Sequence, residues 1–405
     1  MKKFFSVSVD WLQSHWRGLV SSLIIATLAV LTLSLQLTTL VPGQNKFETI
    51  ALSVIQKTPW PWQSPESAPY NVPVYIIGKV TADFLQAGRI VSVMYALLAT
   101  ACLFYVLKKW FNIRMATVGS LLFVTSSWLL HLAHVATPLI LMVFAPLACL
   151  AAFTWLIRTK RYKIFAILTF VGALGFAAYV PYMTWVLLVT VAVLYFQSKD
   201  KIKSIESWQW IAGGALYFAL VLPLLVGLVK DPSSIRVLLG IPANLPSFNE
   251  YLNNLLNLIL APFFRSPLMP ELHLGRLPLL DIFSTTMFLL GVYYYVMRPG
   301  NRRSIILFAS FGLLLLILPL TPLYLLGASI LLPLIYIFIV SGIVELLNQW
   351  FSYFPRNPLA RSIGVGVVVI AIGFTSFYHL QRYFIAWPNT PDTKTVYVVQ
   401  LTDKK

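Results

Sequence analysis

An all-α polytopic membrane protein is the fold class that the sequence predicts, and three observations predict it. Of the 405 residues, 59% are hydrophobic and only 11% are charged, and the mean hydropathy is +0.80. Soluble domains carry about 25% charged residues and do not bury this much apolar surface. Long apolar stretches alternate with short basic segments. These observations exclude a soluble enzyme, a nucleic-acid-binding protein and a disordered chain.

Apolar stretches of about 17–25 residues mark membrane-spanning helices. About eleven are predicted, at 18–41, 88–107, 115–134, 137–157, 164–180, 182–197, 208–229, 279–297, 304–320, 322–347 and 362–380. The first is expected to be retained, because it is long enough to span and no small-residue cleavage site follows it. The chain is therefore predicted to be a single integral membrane domain over residues 1–405.

Lys and Arg residues concentrate in the short segments between alternate predicted spans, as they do in cytoplasmic loops. This distribution accounts for the net charge of +17 and predicts a cytoplasmic N-terminus and an extracytoplasmic C-terminus. Two long loops, 42–87 and 230–278, and a polar tail, 381–405, are then extracytoplasmic. Because binding and catalytic residues are concentrated in long loops, we expect the chemistry on the extracytoplasmic side. The membrane is expected to be a prokaryotic plasma membrane.

An amphipathic helix too short to span is predicted over 45–56, where apolar residues recur at helical spacing. Asn45 and Glu48 stand three residues apart at its start, as in a capping box. Two more such helices are expected. One covers 71–86 with Asn71 as its cap, and the other covers 249–264. Helices lying at the membrane surface leave a cleft that lipid and water both reach, which suits a lipid-borne substrate with a polar head group.

Acidic residues near the membrane are few, so each of them is informative. Glu48 follows the first span closely. It is either a general base at the mouth of the cleft or only the structural partner in the capping box. Glu66 lies in a Pro-rich segment and is expected to be exposed without a special role.

Lys79, Arg89 and Arg265 are external cations suited to a phosphate group, with interfacial snorkelling as the alternative explanation. His131 and His134 share one helical face. Their spacing favours polar packing or a phosphate contact over a metal site, because no third ligand follows at helical spacing. No metal ligand is therefore predicted.

The tryptophans of the segment TPWPW, Trp60 and Trp62, are candidates for stacking on a sugar ring. Their alternative role is in the aromatic belt that anchors membrane proteins at the interface. The sequence contains no Walker A loop and no HExxH or CxxC motif. ATP-driven transport, redox chemistry and zinc proteolysis are therefore not supported.

The first half of the chain carries motifs in a recognisable order. Pro42, Gly43 and Glu48 match a Pro-Gly turn followed by an acidic motif of the form P-G-L-S-x-D-E, with Phe47 in place of its Asp. Three later segments match N-P-P-x-Y, R-L-x-S and S-R-x-A motifs, at 71–75, 88–92 and 126–138. In this order the chain resembles the C-type membrane glycosyltransferases of family 39. That group includes the dolichyl-phosphate-mannose–protein mannosyltransferases and the bacterial aminoarabinose transferases.

The resemblance implies sugar transfer from a polyprenyl-phosphate donor to a glycan, lipid or protein acceptor on the extracytoplasmic face, among membrane lipids. It implies a base, Glu48, and a set of phosphate ligands: Lys79, Arg89, His134 and Arg265. The candidates for stacking on the acceptor or the sugar are Trp60, Trp62 and Tyr75. No cofactor is implied, and a requirement for a divalent cation is left open. A non-catalytic relative, or a transporter or binding protein for lipid-linked sugars, is the alternative that Phe47 favours.

Overall fold

The computed structural model describes residues 20–41, 43–159, 163–197 and 206–397, and their regular elements are helices. The α-helices are α1 Val20–Ser34, α2 Lys46–Lys57, α3 Ala68–Thr81, α4 Phe84–Trp110, α5 Ile113–Thr125, α6 Ser127–His134, α7 Ile140–Arg158, α8 Lys163–Ala177, α9 Met183–Gln197, α10 Ser207–Lys230, α11 Ser233–Leu239, α12 Phe248–Phe263, α13 Ile282–Val296, α14 Arg302–Ile317, α15 Tyr324–Gly327, α16 Leu332–Tyr353, α17 Pro358–Gln381 and α18 Pro391–Val396. Short 3-10 helices lie at Leu318–Leu320, Ala328–Leu331 and Trp387–Asn389, and a π-helix lies at Arg382–Ala386. The predicted all-α fold class is confirmed.

Six helical segments of the described chain are long and apolar enough to cross a membrane, and α5 with α6 would form a seventh span, bent by 59°. The chain is thus an integral membrane protein. Four further apolar helices are shorter: α1, α8, α13 and the Met183–Val193 part of α9. The predicted number of about eleven spans is not confirmed. The reason is length, because a helix of 15 residues such as α8 rises only about 22 Å, whereas the hydrocarbon core is about 30 Å thick.

Helices α13 and α16 approach each other closely at two glycines. A Cβ atom added at Gly291 would collide with the backbone of Phe338, and one added at Gly342 would collide with the backbone of Met287. Small residues permit such close packing in membranes, where lipid supplies no hydrophobic force between helices. Helix α16 is buried throughout residues 332–343, so this pair forms the centre of the core.

Two of the short helices predicted in the long loops, α2 and α12, are present. Helix α2 begins at Asn45, whose side chain accepts from the Glu48 N–H while the Glu48 carboxylate accepts from the Asn45 N–H. Helix α12 begins with the same reciprocal pair, formed by Ser247 and Glu250. Each capping box satisfies N–H groups that the first turn of a helix leaves unpaired. The helices predicted at 45–56 and 249–264 are therefore present.

Helix α3 differs from its prediction, because it begins before Asn71 and contains that residue as a buried side chain. Pro73 is tolerated inside the helix for a local reason. A proline cannot donate to the carbonyl four residues earlier, here that of Pro69. The hydroxyl of Tyr95 donates to this carbonyl instead, at 2.6 Å, so the acceptor stays satisfied.

The C-terminal segment is not the polar tail that the sequence predicts, as far as the described residues show. The helix that contains α17 continues to Asn389, and Tyr383, Trp387 and Tyr397 are buried. The indole N–H of Trp387 donates to the carbonyl oxygen of Pro270 at 2.8 Å. The segment therefore packs against the second long loop, and its three aromatic side chains supply apolar surface that a purely polar tail would lack. Residues 398–405 lie outside the described part of the chain.

Candidate active site

Glu48 of α2 and Arg89 of α4 form a buried ion pair between these two helices. The Nε atom of Arg89 donates to Glu48 Oε1 at 3.2 Å, and the two side chains are only 5% and 0% exposed, in that order. The backbone N–H of Ala136 donates to the same oxygen at 2.9 Å, and that of Asn45 donates to Oε2 at 3.1 Å. Both carboxylate oxygens are thus hydrogen-bonded inside the protein.

Arg89 also binds the turn that follows α1. Its guanidinium donates to the carbonyl oxygens of Gly43 at 2.8 Å and of Leu37 at 3.4 Å. A buried ion pair is retained when its remaining donors and acceptors are satisfied in this way. The sequence-based expectation that Glu48 stands at the mouth of a cleft is therefore not met. The capping box turns its carboxylate inward, where Arg89 holds it.

His134 lies next to this ion pair and uses both of its ring nitrogens. Its Nε2 lies 2.7 Å from the carbonyl oxygen of Leu33, and its Nδ1 lies 2.8 Å from the hydroxyl of Tyr383. A carbonyl can only accept, so the partners assign the proton to Nε2 and leave Nδ1 to accept from Tyr383. His134 thus joins the end of α1 to the C-terminal segment and has no ring nitrogen left for a phosphate.

A cavity of about 380 Å³ opens beside α2. Apolar residues from α2 form one wall, and the first loop, the α6–α7 connection and α15 complete it; the lining includes Phe47, Ile50, Val54, Thr137, Pro138, Leu139, Leu323 and Leu326. Polar groups gather on the first-loop side: Ser64, Glu66, Ser67 and Asn71. Glu66 is the one carboxylate among the lining residues. The helix therefore points Phe47 at the cavity and Glu48 away from it.

Two features of the cavity wall are typical of functional sites. Ser67 has φ of 58°, in the left-handed region that residues with a Cβ rarely adopt, and such strain clusters at binding and catalytic sites. The hydroxyl of Thr137 is buried without a hydrogen-bond partner, which is uncommon for a buried polar atom. The Thr137 hydroxyl thus leaves its hydrogen-bonding capacity unused at the cavity wall.

The predicted stacking residues form one group with Lys79. Trp60 and Trp62 are stacked, with ring centroids 5.4 Å apart and planes 1° from parallel. Tyr75 meets Trp60 edge-on at 6.1 Å, and the Nζ of Lys79 lies 5.6 Å from the centroid of the Tyr75 ring. We call Trp60, Trp62, Tyr75 and Lys79 the aromatic group.

Helix α3 connects the aromatic group to the cavity. Asn71, Tyr75 and Lys79 are each four residues apart and therefore lie along one side of the helix. Asn71 faces the cavity, and Lys79 is exposed about 12 Å further along the axis. Arg265, by contrast, is exposed just after α12, and no hydrogen bond or ion pair within the described residues links it to this region.

A second buried cluster is not predicted from the sequence. His131 lies between Tyr383 and Trp387, at ring-centroid distances of 4.7 and 4.5 Å. His273 is buried nearby, and burial together with the charge of Arg382 lowers its pKa to about 4. The aromatic run YFIAWP is the sequence signal that could have revealed this packing. Within the described residues, no group of three or more His, Cys, Asp or Glu side chains is arranged to hold a metal ion.

Solved structures of ArnT and AglB are among those similar to this chain. ArnT from Cupriavidus metallidurans bound to undecaprenyl phosphate has a TM-score of 0.56 and 12% identity, over 93% of this chain and 76% of ArnT. Its apo structure has a TM-score of 0.50 and 12% identity, over 97% and 77%. The archaeal oligosaccharyltransferase AglB from Archaeoglobus fulgidus, in complex with an inhibitory peptide and a dolichol-phosphate, has a TM-score of 0.55 and 13% identity, over 98% of this chain and 61% of AglB.

The chain has the fold of the C-type membrane glycosyltransferases. At 12–13% identity the likeness concerns the fold, and at that level it confirms the resemblance that the motifs predict. No protein-family model matches the sequence, and no curated protein matches it significantly.

Proposed function

We propose that the protein is a membrane glycosyltransferase that takes a sugar from a polyprenyl-phosphate donor and transfers it to an acceptor bound in the 380 Å³ cavity. The observation that carries the proposal is the single carboxylate, Glu66, on the wall of a cavity within this fold. The two similar proteins bind lipid phosphates, undecaprenyl phosphate for ArnT and dolichol-phosphate for AglB. This supports a donor of the same chemical class.

In this proposal the donor lies along α3. The exposed ammonium of Lys79 pairs with the phosphate, because charge-assisted hydrogen bonds to phosphate oxygens are strong. The sugar then rests on the aromatic group, whose ring faces suit the apolar faces of a sugar ring. Asn71 stands at the inner end of this path, beside the cavity, where its side chain can position a sugar hydroxyl.

The proposed sugar transfer requires one proton acceptor. An acceptor hydroxyl attacks the anomeric carbon of the sugar, the bond between that carbon and the phosphate oxygen breaks, and its electron pair leaves with the polyprenyl phosphate. The hydroxyl proton passes to a carboxylate. A phosphate is a good leaving group, and Lys79 stabilises the charge that develops on it.

Glu66 suits the role of base better than Glu48 does. Glu48 is fully buried, and both of its oxygens are engaged by Arg89 and by backbone N–H groups. Glu66 is partly exposed and faces the cavity. The position that carries Asp in the family motif holds Phe47, which also faces the cavity. We therefore propose that Glu66 supplies the carboxylate that Phe47 cannot supply.

Phe47 also favours a second candidate, a protein that binds or moves lipid-linked sugars without cleaving them. Wild-type protein reconstituted into vesicles separates the two. A panel of polyprenyl-phosphate sugars, including mannose and aminoarabinose donors, is offered with glycan, lipid and peptide acceptors, and donor binding and release of polyprenyl phosphate are both measured. If the protein is a transferase, polyprenyl phosphate is released only when an acceptor is present. Saturable donor binding without release of polyprenyl phosphate would instead support a protein that binds or moves lipid-linked sugars.

A further inference from the structure

A second polar cavity lies at the far end of the bundle from Glu66. It measures about 350 Å³ and is lined by Trp110, Phe153, Thr154, Ile157, Arg158, Gly300, Asn301, Arg302, Arg303 and Ile306. Helix α4 marks the distance between the two regions. Arg89, of the buried ion pair, lies near its start, whereas Trp110 is its last residue. The cavity therefore belongs to the opposite membrane surface.

Three arginines converge on this cavity without a carboxylate among the lining residues. None of the ion pairs formed within the described residues includes Arg158, Arg302 or Arg303. The nearest ion pair along the chain, between Arg298 and Glu345, already uses its acid. Like charges that face one cavity repel each other unless an anion is present between them.

The cavity is also ordered by direct contacts. The guanidinium of Arg303 lies 5.0 Å from the centroid of the Trp110 ring and donates to the Trp110 carbonyl oxygen at 2.9 Å. The indole N–H of Trp110 donates to the hydroxyl of Thr154 at 3.1 Å. An arginine stacked on an indole and held by a carbonyl keeps its position, unlike an arginine that only extends into solvent.

The lining has two chemical halves. The arginines and Asn301 form a polar rim, whereas Phe153, Ile157 and Ile306 form an apolar floor. A free phosphate ion would use only the rim. A phospholipid uses both, because its head group is charged and its glycerol and first acyl carbons are apolar. Basic pockets between spanning helices bind anionic lipid head groups by this combination.

We propose that this cavity binds the phosphate head group of an anionic phospholipid, with Arg158, Arg302 and Arg303 as its ligands. The site is independent of the proposed sugar transfer and requires no chemical step. Its alternative explanation is a general excess of Lys and Arg on the cytoplasmic side, which would attract anionic lipids without a defined site.

Full-length protein in nanodiscs tests the proposal. Nanodiscs of phosphatidylcholine are compared with nanodiscs that contain phosphatidylglycerol, and lipid retention is measured by native mass spectrometry together with thermal unfolding. The double variant Arg158→Gln/Arg302→Gln removes two ligands and leaves the packed Arg303 in place. The matched control, Arg356→Gln/Arg361→Gln, removes the same charge from exposed residues outside the cavity.

We expect wild type and the control to retain phosphatidylglycerol and to unfold at higher temperature in its presence. The double variant is expected to lose affinity by about fivefold per arginine and to lose the thermal shift. Equal retention by both double variants would overturn the site in favour of general charge attraction. Inorganic phosphate added to phosphatidylcholine nanodiscs is expected to have no effect. An equal shift with inorganic phosphate would overturn the assignment to a lipid.

Discussion

The Nε atom of Arg89 lies 3.2 Å from Oε1 of Glu48, and neither side chain is more than 5% exposed. This ion pair joins α2 to α4, and the N–H of Ala136 adds the α6–α7 connection to the same carboxylate. The first loop is therefore anchored to the bundle by Glu48. Glu66 and the aromatic group belong to the same stretch of chain and take no part in this anchor.

Glu48→Gln is expected to destabilise the protein, because it leaves the buried charge of Arg89 without a counter-charge. Breaking a buried pair from one side costs about 3–5 kcal/mol. The midpoint of thermal unfolding in detergent measures this loss. Lys57→Ala is the control, since Lys57 also lies on α2, is exposed and takes part in no ion pair within the described residues; an exposed charge of this kind contributes about 1 kcal/mol or less. Equal midpoints for Glu48→Gln and wild type would show that the pair does not anchor the loop.

Lys79→Ala is expected to weaken donor binding by about tenfold or more, as the loss of a charge-assisted hydrogen bond does. The KM for the polyprenyl-phosphate sugar rises, whereas unfolding is unaffected because Lys79 is exposed. Lys79→Arg keeps the charge and restores most of the affinity. Lys57→Ala serves again as the matched removal of an exposed lysine. A similar KM for Lys79→Ala and Lys57→Ala would place the phosphate elsewhere.

The sequence predicts local features of this region well. The capping box of α2 depends on residues three positions apart, Asn45 with Glu48, and such a signal is visible in the chain itself. The contacts of the Glu48 carboxylate are different. They come from residues 41 and 88 positions away, Arg89 and Ala136, and no local pattern shows which way the side chain turns.

The surroundings of Glu66 are likewise not visible in the local sequence. A carboxylate in the Pro-rich segment WPWQSPESAP resembles any exposed loop acid, because the residues that form a cavity around it come from elsewhere in the sequence. Leu139 and Leu323 are two of them. The predicted number of about eleven spans is not confirmed for a related reason. Apolar length in the sequence does not show where Ser34 or Ala177 ends a helix.

His273 is expected to make stability depend on pH. Its pKa is about 4 in the folded protein and about 6.5 when unfolded. The unfolded chain therefore takes up a proton that the folded protein refuses between these values, so stability is complete above pH 6.5 and falls by up to about 3 kcal/mol as the pH drops to 4. Unfolding midpoints between pH 4 and 8 measure the slope. We expect His273→Gln to flatten it, and an unchanged slope would contradict the assignment.

Gly342→Ala is expected to destabilise the packing of α13 on α16, because the added Cβ collides with the Met287 backbone. Overpacking of a core typically costs about 1–3 kcal/mol. Gly366→Ala is the matched control, since nothing lies within 4 Å of a Cβ at Gly366. Alanine is also the better helix former there. Thermal unfolding compares the two, and an equal midpoint for both variants would contradict the close approach.

Sugar transfer by Glu66→Gln and Glu48→Gln, measured as polyprenyl-phosphate release per correctly folded molecule, tests the central claim most directly. Loss of a general base lowers the rate by about 10²–10⁴-fold. Glu66→Gln is expected to show that loss with an unchanged unfolding midpoint and an unchanged KM for the donor. Glu48→Gln is expected to lose stability but to keep most of its activity once folded. Full activity in Glu66→Gln together with a collapse in folded Glu48→Gln would return the base to position 48 and contradict the account.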